Sequence, residues 1–347
     1  MMIVMKADAT QEEIDTAVSR VQDGGARVHV SAGAERTVIG AVGIDPQQRE
    51  RLAALATEPG VDRVVPISKP YKLASREFGP DAESALEIAG RTIGGGAFAT
   101  IAGPCTVESY EQTMSTARTM LEAGVQFFRA GAYKPRSSPY SFQGLGREGL
   151  DILRAVKEET GLPIVTELMD VRDVEAVCEV ADVIQVGARN MQNYPLLTEI
   201  GRSGTATLIK RGLAATIEEL LMASEYVLKE GNPHVILCER GIRTFETSTR
   251  FTLDIAAVPV LKELTHLPVV VDPSHAAGRR DLVLPLSMAA AAAGADGIIV
   301  ETHPEPENAV CDGPQQLRAD GFATYLRQVE AAAALAGRAP APVTVPA

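Results

Sequence analysis

The chain has 347 residues, 46% of them hydrophobic and 22% charged, enough to bury one large core and a smaller one. A net charge of -12 at pH 7 argues against a nucleic-acid or acidic-membrane surface, so any anion site must be a local basic pocket in an acidic body. Cys105, Cys178, Cys238 and Cys311 stand far apart with no CxxC pair, which points away from a disulfide framework or zinc ribbon and suits a reducing cytosol.

The opening MMIVMKADAT has no long apolar region or small-residue cleavage site, so no secretory signal is expected and a cytoplasmic protein is. Residues 1–70 then read as strand 2–6, helix 11–22, strands 27–31 and 36–42, helix 46–56 and strand 61–67. This βαββαβ order is that of a ferredoxin-like module. Its strand ends carry no basic or reactive cluster, which makes it non-catalytic. Residues 71–84 are polar, contain Pro80 and lack periodicity, as a linker would. A lead-in at 88–95 is expected to cover the bottom of the larger domain.

That domain, 85–337, alternates regularly. Strands are expected at 97–102, 126–130, 163–167, 183–187, 206–210, 235–239, 268–272 and 297–301, with helical patterns at 109–123, 149–159, 171–180, 217–229 and 282–293. Eight such units match a TIM (β/α)8 barrel, for which about 250 residues is typical. A doubly wound open sheet is the competing α/β architecture, but no GxGxxG follows the first strand. The apolar window 282–300 is divided by Pro285, Gly294 and Asp296 into a helix followed by a strand, so no membrane span is expected. The tail 338–347, ending APAPVTVPA, reads as disordered.

The apolar runs end at or near Cys105, Arg129, Lys134, Glu167, Arg189, Lys210, Arg240, His275 and Glu301, where a barrel places its active face. Cys105 follows the first barrel strand, His275 the seventh, Glu301 ends the eighth and Asp312 lies just beyond. Because the eighth strand of a closed barrel adjoins both the seventh and the first, these four should converge. Thiolate, imidazole and two carboxylates suit one divalent ion of the Zn, Mn, Fe or Co type acting as a Lewis acid. The bland alternative is a buried cysteine and a DPSH capping turn. Cys178 and Cys238 read as core.

The other arc is basic, with Arg129, Lys134, Arg136, Arg189, Lys210, Arg211 and Arg240. Since these cations outnumber the strand-end acids Glu167 and Glu239, a multiply charged anionic ligand is expected to compensate them, internal pairing being the alternative. A Schiff-base aldolase using Lys210 would leave the Cys/His/Glu/Asp set without work. A non-enzymatic sugar-phosphate sensor is the reading from a different class.

The motifs IAGPCTVES, RAGAYKPRSSPYSFQG, QVGARNMQN, LIKRG, ILCERG, VVVDPSHAAG and IIVETHPEPENAVCDGPQQL together resemble the 3-deoxy-D-arabino-heptulosonate 7-phosphate (DAHP) synthase family over about 85–335. The resemblance implies condensation of phosphoenolpyruvate with erythrose 4-phosphate. It also implies metal ligation by Cys105, His275, Glu301 and Asp312, and catalysis by Lys134 together with Cys105 and His275. Arg129, Lys134 and Lys210 would face the enolpyruvate carboxylate. Arg189, with Ala188 beside it, and Arg240 would hold its phosphate, and Arg136 and Ser137, next to Pro135, that of the aldose. Ser137 stands where the family usually has threonine. Lys134 is the expected proton donor to the new alkoxide. The sister family of 3-deoxy-D-manno-octulosonate 8-phosphate synthases is the alternative, but its loop resembles KANRSS, whereas Pro135 here removes an amide side chain. The N-terminal module is similar to a regulatory extension, which implies a tyrosine or phenylalanine effector, a plain assembly or lid domain being the alternative; a homotetramer or homodimer is expected. Cys311 is expected near Cys105, with which it could form a disulfide when no metal is held.

Overall fold

A computed structural model describes residues 1–33, 36–42, 44, 46–65, 70–77, 83–136 and 138–340. They form two compact units, Met1–Lys72 and Leu73–Ala347.

The first unit has the expected βαββαβ order: β1 (Met2–Met5), α1 (Gln11–Asp23), β2 (Arg27–Ala32), β3 (Thr37–Val42), α2 (Pro46–Ala53) and β4 (Val61–Val65). Its antiparallel sheet runs β2-β3-β1-β4. Thr10 starts α1 with a reciprocal capping box to Glu13. Ala17 and Val21 of that helix pack against Ile3, Met5 and Ile39 to make a small core. The last two residues of the expected strand 61–67 lie outside the described residues.

The second unit opens with a hairpin, β5 (Ala85–Ile88) and β6 (Arg91–Gly94). The barrel strands come next as β7 (Ala97–Gly103), β8 (Phe127–Arg129), β9 (Ile164–Glu167), β10 (Val183–Val186), β11 (Ala206–Lys210), β12 (Val235–Glu239), β13 (Val269–Val271) and β14 (Gly297–His303). Each is parallel to the next, and β14 returns to β7 with Gly297 opposite Ala99 and Glu301 opposite Gly103, closing the cylinder. Gly103 is required there, since an added Cβ would lie 2.0 Å from the Arg129 carbonyl. Leu86, Ile88 and Ile93 of the hairpin join Ile101, Phe127, Val165, Leu208 and Ile236 in one buried cluster. The hairpin therefore fills the amino-terminal end of the barrel, where the lead-in 88–95 was expected to lie.

The helical patterns correspond to α3 (Tyr110–Glu122), α4 (Arg147–Thr160), α7 (Ile217–Lys229) and α10 (Arg280–Ala292). Between them lie α5 (Val174–Cys178), α6 (Tyr194–Ser203), α8 (Ala257–Leu264) and α9 (Pro273–Ala277), and α11 (Phe322–Leu335) comes last. The expected helix 171–180 is shorter. Asp170 caps a 3-10 turn at Val171–Asp173, and only α5 continues it.

Two expectations need correction. Within the stretch read as linker, the backbone N–H of Ala74 donates to Glu225, that of Arg76 to Leu264 O and that of Ser84 to His266 O, all at 2.7–2.9 Å. Nor is the tail loose from residue 338. Arg338 pairs with Asp296 at 2.7 Å and Glu83 at 2.9 Å, and Ala339–Pro340 runs parallel to Ala97–Phe98. Asp296 is fully buried, with Lys262 on its other side at 2.7 Å, and a buried carboxylate of this kind draws basic segments onto it. Residues 341–347 lie outside the described residues.

Candidate active site

The four expected metal ligands meet at the carboxyl mouth. β14 delivers Glu301, the loop beyond it Asp312, the turn after β7 Cys105, and the first turn of α9 His275. The ligand atoms of His275, Glu301 and Asp312 lie within 4.8 Å of one another, as do those of Cys105, Cys311 and Asp312, so Asp312 joins both sets. Cys105 Sγ donates to Asp312 Oδ2 at 3.4 Å. Asp312 itself sits in the left-handed region at φ +52°, a conformation that aspartate tolerates better than most residues.

α9 begins with Asp272 as its cap and Pro273 in its first turn, which puts His275 three residues along on the same face. Asp272 Oδ1 accepts from the His275 backbone N–H at 2.9 Å, and its Oδ2 lies 2.7 Å from Nδ1 and also receives Lys210 Nζ. Burial, outweighing the attraction of Asp272 and Glu301, brings the His275 imidazole down to about 4, so it is neutral at pH 7. Its proton then belongs on Nδ1, facing Asp272, which leaves the Nε2 lone pair directed at Glu301 Oε1 3.4 Å away. Burial opposes ionisation of Glu301, but His275, Arg129 and Lys134 hold its carboxyl well below the usual range. Burial likewise pushes the Cys105 thiol well up, with Lys134 pulling the other way. Two acceptors face each other across a buried gap, beside a thiol and a second carboxylate. That donor set fits a divalent cation of intermediate softness.

The basic arc differs from its expected state. Arg129 pairs with Glu301 at 2.7 Å, and Lys134 with Asp312 at 3.5 Å and Glu301 at 4.0 Å. Lys210 pairs with Asp272, and Arg211 with Glu239 at 2.9 Å and Asp254 at 2.8 Å. The expectation that cations outnumber acids is thus corrected for these four. Their partners include Asp272, the residue right after β13, and Asp254 and Asp312, which sit in loops beyond the strand ends, whereas only Glu167 and Glu239 were counted. Arg240 is different. Its guanidinium stacks 4.3 Å over Phe251 and Nη2 donates to His275 O at 3.4 Å, while buried Nη1 meets no acceptor among the described residues. Burial lowers its affinity for a proton, Asp272 opposes this and Arg250 adds to it.

A cleft of about 260 Å³ opens between the two sectors. Of the expected substrate contacts, Lys134, Pro135, Arg136, Ala188, Arg189, Lys210 and Arg240 line it. His275 and Asp312 reach the same space, as does Arg250, which the sequence pattern did not single out. Arg129 is not on this wall, being 3% exposed and turned to Glu301. Arg136 Nη1 donates to Cys311 Sγ at 2.7 Å, and Ser137 lies outside the described residues. Glu167 also faces the cleft. It accepts from Gln185 at 3.0 Å, and a Cβ at Gly187 would come within 2.1 Å of its other oxygen, so a larger residue there would push the carboxylate aside. Asp272 was legible in principle, since Asp-Pro-x-His is a cap signature that fixes an i,i+3 pair.

A closed barrel whose mouth joins a buried donor cluster to a cationic cleft defines an α/β-barrel enzyme for small anionic substrates. Residues 79–336 match the DAHP synthetase I family, and residues 1–69 match the DAHP synthase ferredoxin-like domain. A phospho-2-dehydro-3-deoxyheptonate aldolase of Thermotoga maritima is 49% identical over 95% of this chain and 97% of its own. The crystal structure of the Thermotoga maritima enzyme superposes with a TM-score of 0.77 at 47% identity, covering 98% of each chain. A 2-dehydro-3-deoxyphosphooctonate aldolase of Syntrophotalea carbinolica is more distant, at 37% identity over 71% of this chain and 95% of its own. The chain belongs to the DAHP synthetase I family and carries that family's ferredoxin-like N-terminal domain.

Asp272→Asn should weaken Co²⁺ binding to the metal-free protein by about ten- to a hundred-fold, because the imidazole loses the anion that fixes its tautomer. Titration by Co²⁺ absorbance checks this, and wild-type affinity in the variant would remove Asp272 from that role.

Proposed function

We propose that the chain condenses phosphoenolpyruvate with erythrose 4-phosphate and water to give DAHP and phosphate, the entry to the shikimate pathway. One observation carries this reading: His275 and Asp312 of the donor cluster line the same cleft as Arg136, Arg189, Lys210 and Arg240. Carbonyl activation and anion binding are thereby available to two substrates lying side by side. The heptonate relative, nearer than the octonate one and matched along the whole chain, supports the four-carbon aldose as acceptor.

Cys105, His275, Glu301 and Asp312 would hold one divalent ion of the Mn, Fe, Zn or Co type, which when bound supplies Lewis-acid polarisation of the aldehyde. Lys134 and Lys210 face the enolpyruvate carboxylate, with Arg129 behind them holding Glu301. Arg189 and Arg240 take its phosphate, which supplies the acceptor that Arg240 Nη1 lacks, and Arg136 and Ser137 take the phosphate of the aldose. Held in this cradle, the enol methylene carbon attacks the aldehyde carbon. Lys134, kept protonated by the carboxylates of Glu301 and Asp312 despite its burial, gives a proton to the new alkoxide. Water adds at the cationic second carbon and loses a proton, and the hemiketal then releases phosphate by carbon–oxygen cleavage, leaving the ketone.

Phosphate release should require both substrates, favour erythrose 4-phosphate over arabinose 5-phosphate, and cease with a chelator or in Cys105→Ala. Preference for the five-carbon aldose would overturn the choice of acceptor, and full turnover after chelation would remove the metal.

The N-terminal unit is proposed to bind tyrosine or phenylalanine and inhibit the barrel. A Thermotoga maritima structure described as a truncated form of the synthase covers 78% of this chain with a TM-score of 0.72, which supports a barrel able to fold without that unit. Deleting residues 1–70 should preserve turnover and abolish inhibition by both amino acids. A full-length enzyme indifferent to both would end the regulatory reading. Among the described residues no helix is long and apolar enough to cross a membrane. A cytoplasmic homotetramer or homodimer is part of the same proposal.

The Cys105 and Cys311 sulfurs lie within 4.8 Å of each other and both are free thiols. Without metal, the pair is expected to pass two electrons and two protons to dioxygen and close a disulfide. Mass spectrometry of aerated, metal-free protein should find them linked, and two alkylatable thiols after prolonged aeration would refute the pairing.

A further inference from the structure

Gln315 lies in the loop after β14, is 2% exposed, and bridges two groups that belong to different sectors of the site. Its Nε2 donates to Glu301 Oε2 at 2.6 Å, and its Oε1 accepts from Arg250 Nη1 at 2.9 Å. The orientation of the amide is forced, because a guanidinium can only donate and an ionised carboxylate can only accept. Arg250 lines the anionic-substrate cleft and also reaches Asp312 Oδ1 at 3.4 Å.

Glu301 makes clear what this contact does. Its Oε1 faces Arg129 at 2.7 Å and His275 Nε2 at 3.4 Å, on the side where the donors converge. The other oxygen, equally buried, is held by Gln315. Without that bond the carboxylate could rotate, and one oxygen would be left buried and unsatisfied. The neighbouring residue acts in parallel. Fully buried Gln316 accepts from the Cys105 backbone N–H at 3.2 Å and donates to Cys311 O at 2.8 Å, which sets the spacing of the two loops.

We propose that Gln315 is a positioning residue for cation binding: it fixes which oxygen of Glu301 faces the ion and ties that carboxylate to Arg250 of the substrate cleft. Part of the ion's affinity is therefore set by a side chain that does not ligate it. This rests on the reading of Cys105, His275, Glu301 and Asp312 as a cation site.

Gln315→Met keeps an unbranched side chain of similar volume and removes both hydrogen bonds. Metal-free full-length protein is titrated with Co²⁺, with absorbance as the readout, beside its thermal unfolding curve. The variant should bind Co²⁺ about ten- to a hundred-fold more weakly than wild type while unfolding cooperatively in the metal-free state. Affinity within three-fold of wild type, on the order of experimental scatter, would overturn the proposal while leaving the cation site standing. Wild-type protein that binds no Co²⁺ would overturn both. Should the Met variant fail to fold, Gln315→Asn keeps a buried amide one methylene too short to span both partners. It should lose affinity in the same direction, and wild-type binding in that variant overturns the proposal equally.

Discussion

The pair formed by Arg129 and Glu301 is the contact on which the mouth depends. Both side chains are cut off from water, at 4% and 0% exposure, so each offsets the cost of burying the other's charge. Removing one partner of such a buried pair typically costs about 3–5 kcal/mol. The two residues lie 172 positions apart and meet because β14 closes onto β7, with β8 next to it. Barrel closure and assembly of the site are thus one event.

From that pair acidic and basic side chains alternate outward, the imidazole among them neutral at pH 7. Glu301 faces His275, His275 leans on Asp272, and Asp272 receives Lys210, whose ammonium lines the cleft. Lys134 reaches Glu301 and Asp312 from the other side. Glu301 and Asp312, which offer ligand atoms to a cation, therefore also neutralise Lys134, and Asp272, which holds His275, neutralises Lys210. Each sector partly compensates the other, and occupying either changes the field felt in the second. This alternation reconciles a strongly basic cleft with an acidic chain without large uncompensated burial of charge. Arg240 stands apart, stacked on the face of Phe251 and in no ion pair among the described residues, which leaves a donor for an incoming anion.

Much of this was legible in the chain. Short apolar runs at regular spacing identify buried parallel strands, because a strand covered on both faces has no polar alternation to show. The residues ending those runs identify the active rim, because every strand of a barrel points its carboxyl end the same way. The pairing of the basic arc was less legible. Asp254 and Asp312 follow their strands by a loop, and whether such a carboxylate turns inward depends on the neighbouring strand rather than on its own sequence context, while Asp272 directly after β13 shows its cap role locally but not its pairing with Lys210. The hydrogen bonds of residues 74–76 and the pairing of Arg338 were hidden for a similar reason, since polar, aperiodic segments reveal nothing about a buried partner elsewhere.

Local pattern by itself determined the βαββαβ module, the eight barrel strands and the identity of Cys105, His275, Glu301 and Asp312 as a converging set. Those features arise from periodicity and from the fixed polarity of parallel strands. Only the tertiary structure decided that Arg129 turns to Glu301, that Lys210 pairs with Asp272 and that Gln315 spans Glu301 and Arg250. Such choices depend on which donor meets which acceptor inside a low-dielectric interior, and contacts between residues tens to hundreds of positions apart exist only once the cylinder has closed.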